Sequence, residues 1–186
     1  MLIVEKCEME ILMNSDFLKM KRLFLKQSYI DAWELYADSM EDENACLWDY
    51  IILTASNELQ AEAFRKEIAC RLEKKVIPDR IHYAVIPDPD GRRVGSGGAA
   101  FNVLKYLADI EGEGFADKRI LVIHSGGDSK RIPQYSVCGK LFSPVPRQLP
   151  DGRMSTLFDE FMIAMAGIPG RIESGMLTLS GDVMLL

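Results

Sequence analysis

Residues 119–133 read RILVIHSGGDSKRIP, and this stretch organises the rest of the chain. Its apolar, β-branched run, residues 120–123, is typical of a buried strand. The turn behind the strand contains the residues that bear on binding: Gly126, Gly127, Asp128, Ser129, Lys130 and Arg131. A Gly-Gly turn lets backbone N–H groups approach an anion, and an arginine can bind phosphate oxygens through two parallel hydrogen bonds. The stretch predicts a polyphosphate site, with a nucleoside triphosphate as the first candidate; an ordinary tight turn is the alternative.

The composition narrows the class of protein. The chain has 186 residues, 48% hydrophobic and 27% charged, which suits one soluble domain with a sizeable core. A net charge of −6 argues against a general nucleic-acid binder. No apolar run approaches the roughly 20 residues that span a bilayer, and the N-terminus does not resemble a secretory signal. The widely spaced Cys7, Cys46, Cys70 and Cys138 indicate reduced thiols in a cytoplasmic protein, not a disulfide framework or a zinc site.

Strand and helix patterns alternate along the chain. The strands are predicted at 48–55, 81–86, 119–124 and 176–180, and the helices from Ser15 onward, at 57–75, at 99–110 and at 155–166. A long functional loop is expected over 132–153. This alternation predicts an α/β fold, namely a Rossmann-like, mostly parallel sheet with helices on both faces. Residues 1–47 are expected to be a helical segment packed on a domain formed by 48–186.

Further candidates lie near the ends of the other predicted strands: Gly95, Ser96, Gly97, Gly98, Lys140 and Asp182. The glycine loop 95–98 precedes a helix, whose N-terminal N–H groups attract anions, although Ala100 stands where G-x-G-x-x-G has its third glycine. Asp182 is positioned to hold Mg²⁺ or simply to make a turn, and Lys140 could reach a phosphate or lie on the surface. His124 is interpreted as a packed histidine. Together, these strand ends favour nucleotidyl transfer, in which glycine backbone and cations hold a triphosphate while a second phosphate attacks it.

The motifs also resemble a known family. Residues 126–131 with Pro133 and Lys140 are similar to the G-G-x-G-x-R…P-K signature of sugar-1-phosphate nucleotidyltransferases, with Ser129 in place of the third glycine. The longer string HSGGDSKRIPQYSVCGKLFSPVPR, with VGSGGAAFNVL before it and LSGDV after it, resembles the L-fucokinase / L-fucose-1-phosphate guanylyltransferase family in its bacterial bifunctional form. The likeness runs from about Phe17 to the C-terminus.

The resemblance implies a reaction and a set of roles. GTP and L-fucose 1-phosphate would give GDP-L-fucose and pyrophosphate. Gly126, Gly127 and Arg131 would hold the triphosphate, Lys140 would contact phosphate, residues 95–98 would receive the base and ribose, and Asp182 would bind Mg²⁺. Because the base-type loop precedes the signature loop here, we expect a permuted connection. The strand 119–124 should then be central in the sheet although it is third in sequence.

Two further expectations and two rivals complete the sequence interpretation. The chain stops at Leu186, soon after Asp182, so we expect a truncated nucleotidyltransferase domain with an incomplete site and a sheet edge prone to homo-association. One rival is a catalytically inactive nucleotide-binding or association domain. The other is a Rossmann dinucleotide-binding protein based on the loop 95–98, which lacks an acidic partner for the ribose.

Overall fold

The computed structural model describes residues 2–125 and 139–181, with side chains from Asp16 onward. The helices are α1 (Leu2–Glu41), α2 (Glu58–Glu73), α3 (Gly95–Glu111) and α4 (Leu157–Met165). The strands are β1 (Tyr50–Ala55), β2 (His82–Pro87), β3 (Arg119–His124), β4 (Pro144–Gln148), β5 (Met154–Thr156) and β6 (Gly175–Ser180). Within these ranges, none of the helices combines the length and the hydropathy needed to cross a bilayer.

Four of the strands form a parallel sheet in the order β2-β1-β3-β6. The predicted α/β class and the parallel sheet are therefore confirmed. β3, the strand of residues 119–124, lies between β1 and β6, so its predicted place in the sheet interior is also confirmed. Because all four strands run the same way, their C-terminal ends meet at one edge of the sheet.

The two central strands are buried on both faces of the sheet. On one face, alternate side chains such as Leu53 and Leu121 pack with Phe64 of α2, Tyr36 of α1 and Phe158 of α4. On the other face, a smaller cluster joins β1 and β3 to α3: Tyr50, Ile52, Val103, Leu107, Ile120 and Val122. Successive strand residues point to opposite faces, so a continuous apolar run needs helices on both sides. The prediction of helices on both faces is confirmed.

Local capping interactions fix where the helices of the larger cluster begin. The side chain of Asn57 accepts a hydrogen bond from the Gln60 N–H at 2.9 Å. The Gln60 Oε1 accepts a hydrogen bond from the Ser56 N–H at 2.8 Å, so it ties the start of α2 to the end of β1. Thr156 and Asp159 do form a reciprocal capping box at the start of α4. Such caps replace hydrogen bonds that the first turn of a helix lacks.

Two elements differ from the sequence interpretation. α1 begins at Leu2 and continues without a break to Glu41, whereas the helical pattern was predicted from Ser15. The predicted loop 132–153 contains β4 and the turn that leads to β5. The two strands pair as an antiparallel hairpin. Pro144 and Pro146 obscured β4, because proline weakens a strand pattern and is tolerated only at sheet edges and bulges.

We expect Leu53→Ala to lower the free energy of unfolding by about 2–5 kcal/mol, because Leu53 of β1 is fully buried between the sheet and the helices. Leu59→Ala is the matched control, since Leu59 is 77% exposed and its loss should change the free energy by less than about 0.5 kcal/mol. Urea unfolding followed by circular dichroism measures both. Equal losses of unfolding free energy in the two variants would contradict the placement of β1 in the sheet interior.

Candidate functional site

The candidate site lies at the edge where the parallel strands end. Ser56 follows β1, Asp88 follows β2, Ser125 follows β3 and Gly181 follows β6. In parallel α/β sheets this edge is where ligands bind, because the loops that leave it are free to differ in shape. Most of the site residues predicted from the sequence follow strands that end at this edge.

Gly95, Ser96, Gly97 and Gly98 form the first turn of α3, not a loop before it. The predicted helix start at residue 99 was wrong because glycine has a low helix propensity, and a run of three glycines therefore reads as a loop. The helix can start there because Val94 packs over Gly98, where a Cβ would lie 2.6 Å from the Val94 Cβ. Val94 makes no side-chain cap, and residues 95–97 are exposed. The N–H groups of a first helical turn have no partner within the helix, so this turn is suited to bind an anion or a polar base edge.

Asp88 connects this turn to the sheet. Asp88 is 8% exposed and lies near the Val94 N–H and His124. Burial raises the pKa of Asp88, while the Val94 N–H, Arg93 and His124 act in the opposite direction. A buried carboxylate therefore lies between the N-terminus of α3 and a histidine, where the positive end of the helix favours its charged form.

His124 spans the ends of β1 and β3. Its Nδ1 lies 3.3 Å from the Thr54 Oγ1, and the neighbouring Ser125 hydroxyl donates to the Thr54 carbonyl at 2.7 Å. Burial lowers the pKa of His124, and the Asp88 carboxylate partly offsets this. The interpretation of His124 as a packed histidine agrees with these contacts.

Gly181 brings β6 close to the end of β3. Its N–H donates to the His124 carbonyl at 2.7 Å. A Cβ at Gly181 would lie 2.8 Å from that same oxygen and 3.0 Å from the Ser125 Cβ, so a larger residue does not fit without displacement. The residue before Asp182 is thus in contact with the residue before Gly126.

Lys140 follows a glycine that packs against α2. Gly139 has a φ of +62°, and a Cβ there would meet the Phe64 ring at 2.9 Å. The same position is close to Gln60, whose Oε1 also holds Ser56 at the end of β1. Half-buried Lys140 therefore belongs to a turn that is anchored beside the site edge.

The remaining predicted site residues lie outside the described ranges: Gly126, Gly127, Asp128, Ser129, Lys130, Arg131 and Asp182. Their roles stay predictions. Over residues 2–125 and 139–181 there is no cluster of three or more histidine, cysteine or acidic side chains suited to a metal ion. Sequence reasoning missed Asp88, Thr54 and Gln60, whose one available signal was their position next to a strand end.

We expect Gly98→Ala to lower the free energy of unfolding by about 1–3 kcal/mol, because the new methyl group overlaps Val94. Gly97→Ala is the control in the same helical turn, where a Cβ meets no atom within 4 Å. It should raise stability by about 0.4–1 kcal/mol by restricting the unfolded chain. Chemical unfolding of both variants tests this, and a Gly98→Ala protein as stable as the Gly97→Ala protein would contradict the described packing.

We expect the His124 imidazole to titrate below the ordinary pKa of about 6.5, because burial disfavours its charged form. The folded state then binds this proton less readily than the unfolded chain. The contribution of His124 to stability is therefore complete above about pH 6.5 and declines as the pH falls toward the lower folded pKa. Since the chain has 2 histidines, NMR titration of a His82→Gln variant reports on His124 alone. Adding Asp88→Asn should lower the pKa further, and a rise would contradict the Asp88–His124 interaction.

Comparison with known proteins agrees with the motif interpretation. Residues 112–186 match the family model of the fucose pyrophosphorylase domain. A fucose-1-phosphate guanylyltransferase of Mus musculus is 33% identical over 136 residues, which are 73% of this chain and 22% of the mouse protein. The bifunctional fucokinase/GDP-fucose pyrophosphorylase of Arabidopsis thaliana is 32% identical over 163 residues, covering 74% of this chain and 15% of the plant protein.

A bacterial relative shows the same similarity. The L-fucokinase/L-fucose-1-P guanylyltransferase of Bacteroides fragilis is 31% identical over 121 residues, covering 58% of this chain and 12% of that protein. No solved structure matches the chain significantly. The chain spans about a fifth, or less, of the length of these relatives. The resemblance seen in the glycine and lysine motifs is confirmed: residues 112–186 match the fucose pyrophosphorylase domain, and the chain is similar in sequence to fucose-1-phosphate guanylyltransferases.

Proposed function

We propose that this chain binds GTP and takes part in the transfer of GMP to L-fucose 1-phosphate, which yields GDP-L-fucose and pyrophosphate. The observation that carries the proposal is the junction of β3 and β6 within the matched domain. The Gly181 N–H donates to the His124 carbonyl there, so the segments that begin at Gly126 and Asp182 start from adjacent points. A phosphate-binding turn and a carboxylate are both needed at one place for this chemistry.

The sheet supports a Rossmann-like nucleotidyltransferase fold with a permuted strand order. In this interpretation β3, third in sequence and central in the sheet, is the strand that precedes the signature turn. Its burial on both faces gives the turn a rigid support. A rigid support is needed because transfer of this kind depends on positioning.

The proposed chemistry needs no covalent intermediate. Backbone N–H groups of Gly126 and Gly127, with Lys130 and Arg131, hold the triphosphate, and Asp128 and Ser129 complete the turn. Lys140 contacts a phosphate from the turn that Gly139 anchors beside α2. A phosphate oxygen of L-fucose 1-phosphate forms a bond to the α-phosphorus of GTP. The bond to the bridging oxygen of the β-phosphate breaks, and pyrophosphate leaves with that electron pair. The cations stabilise the negative charge that develops on the leaving group.

Asp182 is the proposed ligand of Mg²⁺. The part of the chain that the structure describes offers no closed cage of metal ligands. Magnesium is usually bound by one or two carboxylates together with substrate phosphates, so the proposal needs few protein ligands besides Asp182. When bound, Mg²⁺ neutralises charge on the triphosphate.

The first turn of α3 is proposed to receive the base and ribose of GTP. Gly95, Ser96 and Gly97 are exposed, and the buried Asp88 lies near the residue before them. A dinucleotide-binding fold would instead need an acidic side chain at the end of the strand that follows the glycine turn. That strand is β3, which ends at His124 and is followed by Ser125, so the described residues at this strand end offer no acidic partner for a ribose.

The binding test is a thermal-shift titration with GTP, ATP, UTP and NAD⁺, each with and without Mg²⁺. GTP with Mg²⁺ should raise the unfolding midpoint most, and saturation at 100 times Kd corresponds to about 2.7 kcal/mol. Arg131→Ala and Lys140→Ala should each reduce the shift. Lys105→Ala, which removes an exposed lysine from α3, should leave it unchanged. The midpoint of each variant without ligand controls for stability.

The outcomes separate the alternatives. A GTP shift with formation of GDP-L-fucose from L-fucose 1-phosphate supports the full proposal. A GTP shift without turnover supports the nucleotide-binding domain alone. A shift with NAD⁺ alone, or equal shifts with all three triphosphates, contradicts a guanine nucleotide site.

A further inference from the structure

A buried glutamine lies between two segments that reach the candidate site. Gln60, the third residue of α2, is 5% exposed although it stands in the first turn of its helix. Its backbone N–H donates to the Asn57 side chain at 2.9 Å, which fixes its place in that turn. A buried amide is costly unless its polar atoms find partners, so the contacts of Gln60 indicate which segments it joins.

The oxygen of the Gln60 amide binds the end of β1. Its Oε1 accepts from the Ser56 N–H at 2.8 Å and from the Ser56 hydroxyl at 3.0 Å. Ser56 directly follows β1, where the Thr54 carbonyl accepts from the Ser125 hydroxyl at 2.7 Å. Ser125 is the residue before Gly126. The oxygen end of the amide is therefore tied to the strand ends from which the predicted triphosphate turn begins.

The nitrogen of the same amide lies against the turn that carries Lys140. The Gln60 Nε2 is 3.3 Å from the point where a Cβ of residue 139 would stand. Gly139 has a φ of +62°, so both its backbone conformation and its contact with Gln60 favour glycine at this position. One buried side chain thus contacts the end of β1 through its oxygen and the Lys140 turn through its nitrogen.

Backbone and apolar contacts hold the Lys140 turn from its other sides. The Ser143 N–H donates to the Lys140 carbonyl at 3.1 Å, and the Ser143 hydroxyl donates to the Gly139 carbonyl at 3.0 Å. The Leu141 side chain is fully buried, and its carbonyl accepts from an N–H in the first turn of α4 at 2.8 Å. The turn is therefore built on α2 and α4, and Gln60 adds the contact that relates it to the sheet.

We propose that Gln60 is a positioning residue for the guanylyl transfer proposed above. It holds the Lys140 turn at a fixed distance from the end of β1, so that the lysine reaches the phosphates held by the turn after β3. The inference rests on the proposed function, because Lys140 acts only if a triphosphate binds. Glutamine suits this role since its amide carries an acceptor and a donor on one planar group, whereas a carboxylate only accepts. Displacement of a group by about 1 Å can cost roughly a hundredfold in catalysis that depends on positioning.

Hydrogen exchange without ligand tests the anchor itself. Gln60→Met keeps the length of the side chain and removes both polar atoms. We expect the amide protons of residues 140–143 to exchange at least about tenfold faster in this variant, while the amides of β3 keep their protection. Tyr36→Phe is the matched control, because it removes a hydroxyl that donates to the Val76 carbonyl beyond the C-terminal end of α2, and it should leave exchange at 140–143 unchanged. Unchanged exchange at 140–143 in Gln60→Met overturns the inference whether or not GTP binds.

A double-mutant cycle with GTP and Mg²⁺ tests the connection to Lys140. Gln60→Met should weaken GTP binding by about tenfold, within the range of coupling between interacting residues, and Lys140→Ala should weaken it as well. The double variant should bind no more weakly than Lys140→Ala alone, because the contact that Gln60 positions is already lost in that background. Isothermal titration calorimetry measures all four affinities. Full additivity of the two losses overturns the inference, since Gln60 would then act independently of the lysine.

Failure of this inference and failure of the proposed function give different results. A wild-type chain that binds no GTP overturns both. GTP binding that Gln60→Met leaves at wild-type strength overturns only the role of Gln60. Where the chain also forms GDP-L-fucose, Gln60→Met should lower kcat by a larger factor than it raises KM for L-fucose 1-phosphate, because positioning acts on the transition state. The reverse pattern contradicts a positioning role.

Discussion

The parallel pairing of β1 with β3 is the constraint on which the rest of the structure depends. Tyr50 to Thr54 pair in register with residues 120–124, and both strands are buried on both faces. Backbone hydrogen bonds between buried strands are retained only where side chains exclude water on each side. This requirement places α1, α2 and α4 on one face and α3 on the other. It also brings the loops to one edge, because parallel strands end together.

Small residues determine how closely the segments approach one another at that edge. Gly181 fits against the His124 carbonyl, Gly139 fits against Phe64, and Gly98 lies under Val94. Each of these contacts is shorter than a Cβ allows, so the glycines set the separation of the backbone segments. Asp88, whose pKa the Val94 N–H lowers, lies beside the first turn of α3. Rigid placement of this kind is what positioning catalysis needs from a protein.

The sequence predicted those features that depend on local pattern. The apolar runs of β1, β2 and β3 and the caps at Asn57 and Thr156 could be found because each is decided by neighbouring residues. β4 was missed because its prolines weaken the strand pattern, and because its pairing with β5 cannot be read from the local sequence. The start of α3 was misplaced because the three glycines at 95, 97 and 98 have a low helix propensity and hide the first turn of the helix. Asp88 and Gln60 were missed because their roles depend on residues that the fold, not the local sequence, brings to them.

The orientation of α1 follows from the same packing. Arg80 donates to the carbonyls of Ser39, Asp42 and Glu43, and the Tyr36 hydroxyl donates to the Val76 carbonyl. These contacts fix the C-terminal part of α1 on the body of the molecule. α1 therefore belongs to the face covered by α2 and α4, whereas the glycine turn starts α3 on the opposite face.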